Sequence, residues 1–116
     1  MKLFFLAVLF FSVSVISKAQ IVTQVYRVNG NCDICKKTIE TSCYAEKGIK
    51  KAKWNADSLA LTISFDTTKT NREKILQRVA AAGYDTELTT ADDAAYTKLH
   101  SCCQYDRKML AVKKEK

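Results

Sequence analysis

Between residues 21 and 88 the spacing of apolar residues switches from two to about 3.6 and back, twice over, with a turn signal at each switch. Ile21 to Val28 is rich in β-branched and aromatic residues, which predicts a strand ending at Asn29-Gly30-Asn31. From Ile34 to Lys47 the period lengthens. Cys35, Ile39 and Cys43 recur on one face, with Ile34, Thr38 and Tyr44 beside them, which predicts a helix stopped by Gly48. Ile49 to Trp54 and Leu59 to Phe65 alternate again across the hairpin-like Asn55-Ala56-Asp57-Ser58, and Leu59, Leu61, Ile63 and Phe65 form one inward row. Thr70 and Glu73 have capping-box spacing, each end able to bond the other's backbone amide, so a second helix is expected from Thr70. Ile75, Leu76, Val79, Ala80 and Ala82 supply its apolar side and Gly83 its end, and Tyr84 to Leu88 reads as a short last strand.

Strand, helix, strand, strand, helix, strand in this order predicts an α+β class fold, the ferredoxin-like βαββαβ sandwich, in which two helices cover one face of a four-stranded antiparallel sheet. That unit occupies residues 20–89. Thr90-Ala91-Asp92-Asp93 is a weaker capping signal and opens a C-terminal helical extension, 90–106, with Ala95, Leu99 and Cys102 on one side. Residues 107–116 form a basic tail of the kind that is usually solvated and frayed.

Residues 1–19 read as an export signal cleaved after Ala19: Met1-Lys2, an apolar run from Leu3 to Phe11, then small residues at Ser17-Lys18-Ala19. A membrane anchor needs about 20 apolar residues, and this run is shorter and interrupted by Ser12 and Ser14. The mature protein is therefore expected in the periplasm or secreted, with no stable membrane anchor. The formal charge is +7, but Arg107 to Lys116 alone holds five basic residues and one Glu. No aromatic residues interleave a basic stripe, which excludes nucleic acid as the main partner. Lys36, Lys37, Lys47, Lys50, Lys51 and Lys53 make a local basic region, a solvated face or a docking face for an acidic partner.

Export favours disulfides, yet the five cysteines are odd in number and fall as Cys32-x-x-Cys35, Cys43 and the vicinal pair Cys102-Cys103. With three Gly and no Pro, the chain lacks the loop-rich composition of a disulfide-stapled miniprotein, so the cysteines look like a site. Cys32 in the loop and Cys35 in the first helical turn can converge on one ion. The helix N-terminus, with Lys36 and Lys37 behind it, favours their thiolate forms. Two thiolates in an open loop suit Cu(I) or a heavier soft ion, whereas Zn(II) normally takes four ligands. Taken alone, the motif is a weak signal, compatible also with a redox dithiol, half of a zinc site or a structural disulfide.

The ordered set Val28-Asn29-Gly30-Asn31-Cys32-Asp33-Ile34-Cys35-Lys36-Lys37-Thr38-Ile39-Glu40, Gly48-Ile49-Lys50-Lys51-Ala52-Lys53-Trp54-Asn55, Leu61-Thr62-Ile63-Ser64-Phe65-Asp66 and Ala82-Gly83-Tyr84-Asp85 resembles the heavy-metal-associated domain family. The resemblance spans about residues 22–88 and implies soft-metal binding, commonly of Cu(I), by Cys32 and Cys35, with transfer to a partner protein by thiolate exchange. Exported members include periplasmic mercury-binding proteins, which makes Hg(II) an alternative cargo, and Zn(II) is a further possible ion. Gly30 stands where the family places Met, so the apolar anchor beneath the loop is missing and a mobile loop is expected. Tyr84 matches an aromatic position near the metal loop, or is a plain core residue. Asp33 is expected to cap the helix and Cys43 to be a small buried apolar residue. Cys102 and Cys103, with His100, read as additional metal ligands, as disulfide partners, or as packing and surface thiols; His100 alone reads as solvated. The expected function is metal binding without catalysis. The enzyme alternative is a thiol-disulfide oxidoreductase, but that fold has another element order and sets a cis-proline opposite its dithiol, and this chain has no proline.

Overall fold

A computed structural model describes residues 19–108. The export-signal expectation and the tail beyond Lys108 lie outside the described residues. Three strands, β1 (Ile21–Arg27), β2 (Ile49–Asn55) and β3 (Ala60–Asp66), form an antiparallel sheet in the order β1-β3-β2. Helices α1 (Asp33–Tyr44) and α2 (Arg72–Ala81) complete the sandwich, and α3 (Asp93–Thr97) with a 3-10 turn at Ser101–Cys103 forms the extension.

Alternation does what it implied. Leu59, Leu61 and Ile63 are fully buried and Phe65 nearly so, and they join Ile39, Ile75, Leu76 and Val79 in one core. The opposite face of β2 carries the exposed Lys51 and Lys53. Register follows from this one-sided burial, because a one-residue slip would turn the whole row to solvent. Tyr26 and Trp54 both stand opposite Leu61, and Gln24 and Ala52 opposite Ile63.

Four local expectations are corrected. The last strand is reduced to one bridge, Val28 to Thr86, flanked by Asn29 N–H donating to Asp85 O and Glu87 N–H to Arg27 O. It stops because Thr86 Oγ1 accepts from the N–H groups of Leu88 and Thr89, which folds the chain back on itself. The cap of α2 is Asn71, whose side chain accepts from Lys74 N–H; Thr70 is buried and donates to Glu46, which also pairs with Arg78. Helix α1 ends at Tyr44, three residues before Lys47, and Gly48 turns the chain at φ +93°. In the extension, Asp92 and not Thr90 precedes the helix, and Cys102 lies beyond it, in the 3-10 turn.

Arg107, assigned to a frayed tail, is tied down. Its guanidinium grips Asp85 through two bonds of 2.8 and 2.9 Å, bonds Asp93 and Ala91 O, and lies 5.0 Å over the Tyr96 ring. Tyr105 is buried, donates to Gly83 O and accepts from Asp85 N–H, both at 2.8 Å, and stacks on Tyr84. Gly83, at φ +108°, lets α3 approach, since a Cβ there would stand 2.9 Å from Ala95 O. The extension is thus docked on the segment that follows α2. Among the described residues no helix is long and apolar enough to cross a membrane.

Candidate metal centre

The loop that leaves β1 passes Gly30, bends at Cys32 and delivers it to the N-cap position of α1, with extended backbone. The expected Asp33 cap is corrected: Asp33 is the first helical residue, and the N-cap position belongs to Cys32. One helical turn on, Cys35 is fully buried. The Sγ atoms of Cys32 and Cys35 are 3.4 Å apart, and the Cys35 thiol donates to Asn31 Oδ1 at 3.1 Å. All five cysteines are free thiols.

Burial opposes ionisation of Cys32, but the N–H groups of Cys35 and Ile34 and the thiols of Cys35 and Cys103 outweigh it and bring its pKa to about 7. The source is the open helix end and the neighbouring sulfurs. Lys36, expected to help, is turned to Glu40 and Trp54 O. Cys43 behaves oppositely: burial, with Glu40 nearby, pushes its thiol up to about 12, which suits the apolar core residue expected of it.

The apolar anchor missing at Gly30 is supplied from β2. A Cβ on Gly30 would meet the Trp54 ring at 2.9 Å, so the indole fills the space beneath the loop, and its Nε1 donates to Val28 O at 3.0 Å. Asn29, fully buried, donates from Nδ2 to Arg107 O, which couples the loop to the extension. Sequence reasoning missed this trio of Trp54, Asn29 and Arg107. Glycine at a position the related loop gives to Met was the one signal pointing to a compensating large side chain.

The extension brings a third sulfur. Cys103 Sγ is 3.5 Å from Cys32 Sγ and 3.9 Å from that of Cys102, and the sulfurs of Cys32, Cys102 and Cys103 all lie within 4.8 Å of one another. Cys103 is buried and Cys102 exposed. Tyr84 serves both of its expected roles: it is buried in the core, and Cys35 and Cys103 sit close enough to its hydroxyl to raise its pKa beyond what burial does alone. His100 is exposed and stands outside the sulfur cluster.

A half-buried thiol of lowered pKa at a helix start, with soft donors on two sides, on this sandwich, defines a small soft-metal-binding module. The heavy-metal-associated domain profile matches residues 25–85, more than half of the chain, and the protein belongs to that family. The CopZ metallochaperone shares the fold, at 21% identity and TM-score 0.55, over 56% of this chain and 98% of that one. Oxidized MerP from Ralstonia metallidurans CH34 is similar at 25% identity and TM-score 0.56, over 59% of this chain and 96% of its own. The N-terminal domain of the zinc(II) ATPase ZiaA in its apo form is 32% identical with TM-score 0.51, over 58% of this chain and 64% of that one. A search of curated proteins returned no match. The family match ends before the extension, so Cys102 and Cys103 lie outside it.

Proposed function

We propose that this protein is exported, binds Cu(I) through Cys32 and Cys35, and passes it to or withholds it from a partner protein, without catalysing a reaction. The observation that supports this most is the pair of sulfurs 3.4 Å apart at the start of α1, one of them half-buried with its pKa brought down to about 7. An ion held by two soft thiolates leaves room for an incoming thiolate. Addition gives a three-coordinate intermediate, one original thiolate then departs, and no free ion is released. The exposed lysines of β2, Lys50, Lys51 and Lys53, offer such a partner a basic approach.

Hg(II) is the second reading, since two thiolates in an open loop suit any soft ion. Titrating the reduced protein with Cu(I), Hg(II) and Zn(II) under native mass spectrometry ranks them. One tightly bound Cu(I), lost in Cys32→Ser, is the expected result. No stoichiometric binding of any soft ion would refute the reading, and retention in Cys32→Ser with loss in Cys102→Ser would move the site to the extension.

A further inference from the structure

We infer that Cys103 is a third ligand to an ion held by Cys32 and Cys35, so that the extension closes the metal site from within the same chain. The inference rests on the reading above and names what completes it. Three thiolates on one soft ion with bonds of about 2.3 Å stand about 4 Å apart. The sulfurs of Cys32 and Cys35, and of Cys32 and Cys103, are already 3.4 and 3.5 Å apart, so Cys32 stands within ligand spacing of both, and binding draws Cys35 and Cys103 onto the same ion.

The placement does not depend on the metal. Tyr105, two residues after Cys103, is locked by its hydroxyl to Gly83 and Asp85, and Tyr96 donates to Tyr105 O at 2.6 Å. Arg107 fastens the end of the segment to Asp85 and Asp93, and its carbonyl accepts from Asn29 in the metal loop. Cys103 is therefore held over the loop by anchors on both the domain and the loop. A cysteine that only filled space would need no second thiol at its side, whereas Cys102 keeps an exposed sulfur within 4.8 Å of Cys32 at the rim.

The chemistry balances without any oxidant. Each thiol that coordinates releases one proton to solvent, the ion gains one S–M bond when Cys103 adds, and transfer to a partner requires breaking that extra bond. Cys103 occupies the position an incoming thiolate would attack, so the protein retains its ion longer than a two-coordinate carrier would.

The test is Cu K-edge X-ray absorption on the full reduced chain carrying one equivalent of Cu(I), beside Cys103→Ala, Cys102→Ser and Cys43→Ala. Three sulfur neighbours are expected in the parent and in Cys43→Ala, falling to two in Cys103→Ala, with affinity for Cu(I) lowered at least about tenfold against a chromophoric chelator. Two neighbours in the parent protein, a measurement that needs no variant, would overturn the inference while leaving the Cys32–Cys35 site standing. A third neighbour that persists in Cys103→Ala but disappears in Cys102→Ser would overturn the assignment to Cys103. Failure of the parent to bind Cu(I), or binding indifferent to Cys32→Ser, would instead refute the underlying site and the inference with it.

Discussion

Cys103 Sγ lies 3.5 Å from Cys32 Sγ across 71 residues of sequence. The contact exists because the extension folds back over the segment after α2, and much of the local structure serves to hold it there. Arg107 is the main fastening. Arg107→Ala would leave the Asp85 carboxylate, which is mostly buried, without its guanidinium, and should cost roughly 1–3 kcal/mol. A urea midpoint equal to that of the parent would show that the clamp contributes nothing.

Trp54 beneath Gly30 makes a second prediction. Gly30→Met restores the family's residue but collides with the indole, and should destabilise by roughly 1–3 kcal/mol through overpacking. Trp54→Ala should cost roughly 3–5 kcal/mol, and the double variant less than the sum by about 1 kcal/mol or more, because the methionine then has a cavity to fill. Additive losses in a double-mutant cycle would mean that the two positions do not share one space.

Thiol reactivity separates the cysteines. With a pKa near 7, Cys32 is about half thiolate at neutral pH and should be alkylated with a rate that rises through a midpoint near 7. Cys43, raised to about 12 and buried, should react only on unfolding. Peptide mass mapping after brief iodoacetamide treatment in the absence of metal checks both, and rapid labelling of Cys43 in the folded protein would contradict the core placement.

Acid should weaken the fold through Asp66. The Thr68 hydroxyl and N–H hold its carboxyl below the usual range, so its contribution to stability is complete above the unfolded pKa, about 3.9, and is lost as pH falls through the folded value. Urea midpoints should fall as pH is lowered below about 4, and less steeply in Asp66→Asn. An equal slope in both proteins would remove Asp66 from the account.

The parts of this structure legible in the sequence are those governed by burial on one face. Leu59, Leu61, Ile63 and Phe65, and the face of Cys35, Ile39 and Cys43, carry their period in the residues themselves, and the Cys32–Cys35 loop follows from where the period changes. What was not legible depends on partners distant in sequence. Tyr84 to Leu88 has strand-like residues, yet Thr86 turns the backbone after a single bridge. Asn71 outcompetes Thr70 for the cap because Thr70 is drawn to Glu46. Arg107 looked like tail because nothing local announces Asp85 and Asp93 as its counterions, and Gly30 looked like a lost anchor because Trp54 arrives from another strand.

The central claim is that Cys32 and Cys35 hold a soft ion, and a Cu(I) competition titration of the reduced protein against a chromophoric chelator tests it most directly. One equivalent of Cu(I) should be withdrawn from the chelator by the parent, and both Cys32→Ser and Cys35→Ser should lose at least about a hundredfold in affinity, nearly 3 kcal/mol. Withdrawal of copper by both variants as strongly as by the parent would contradict the account.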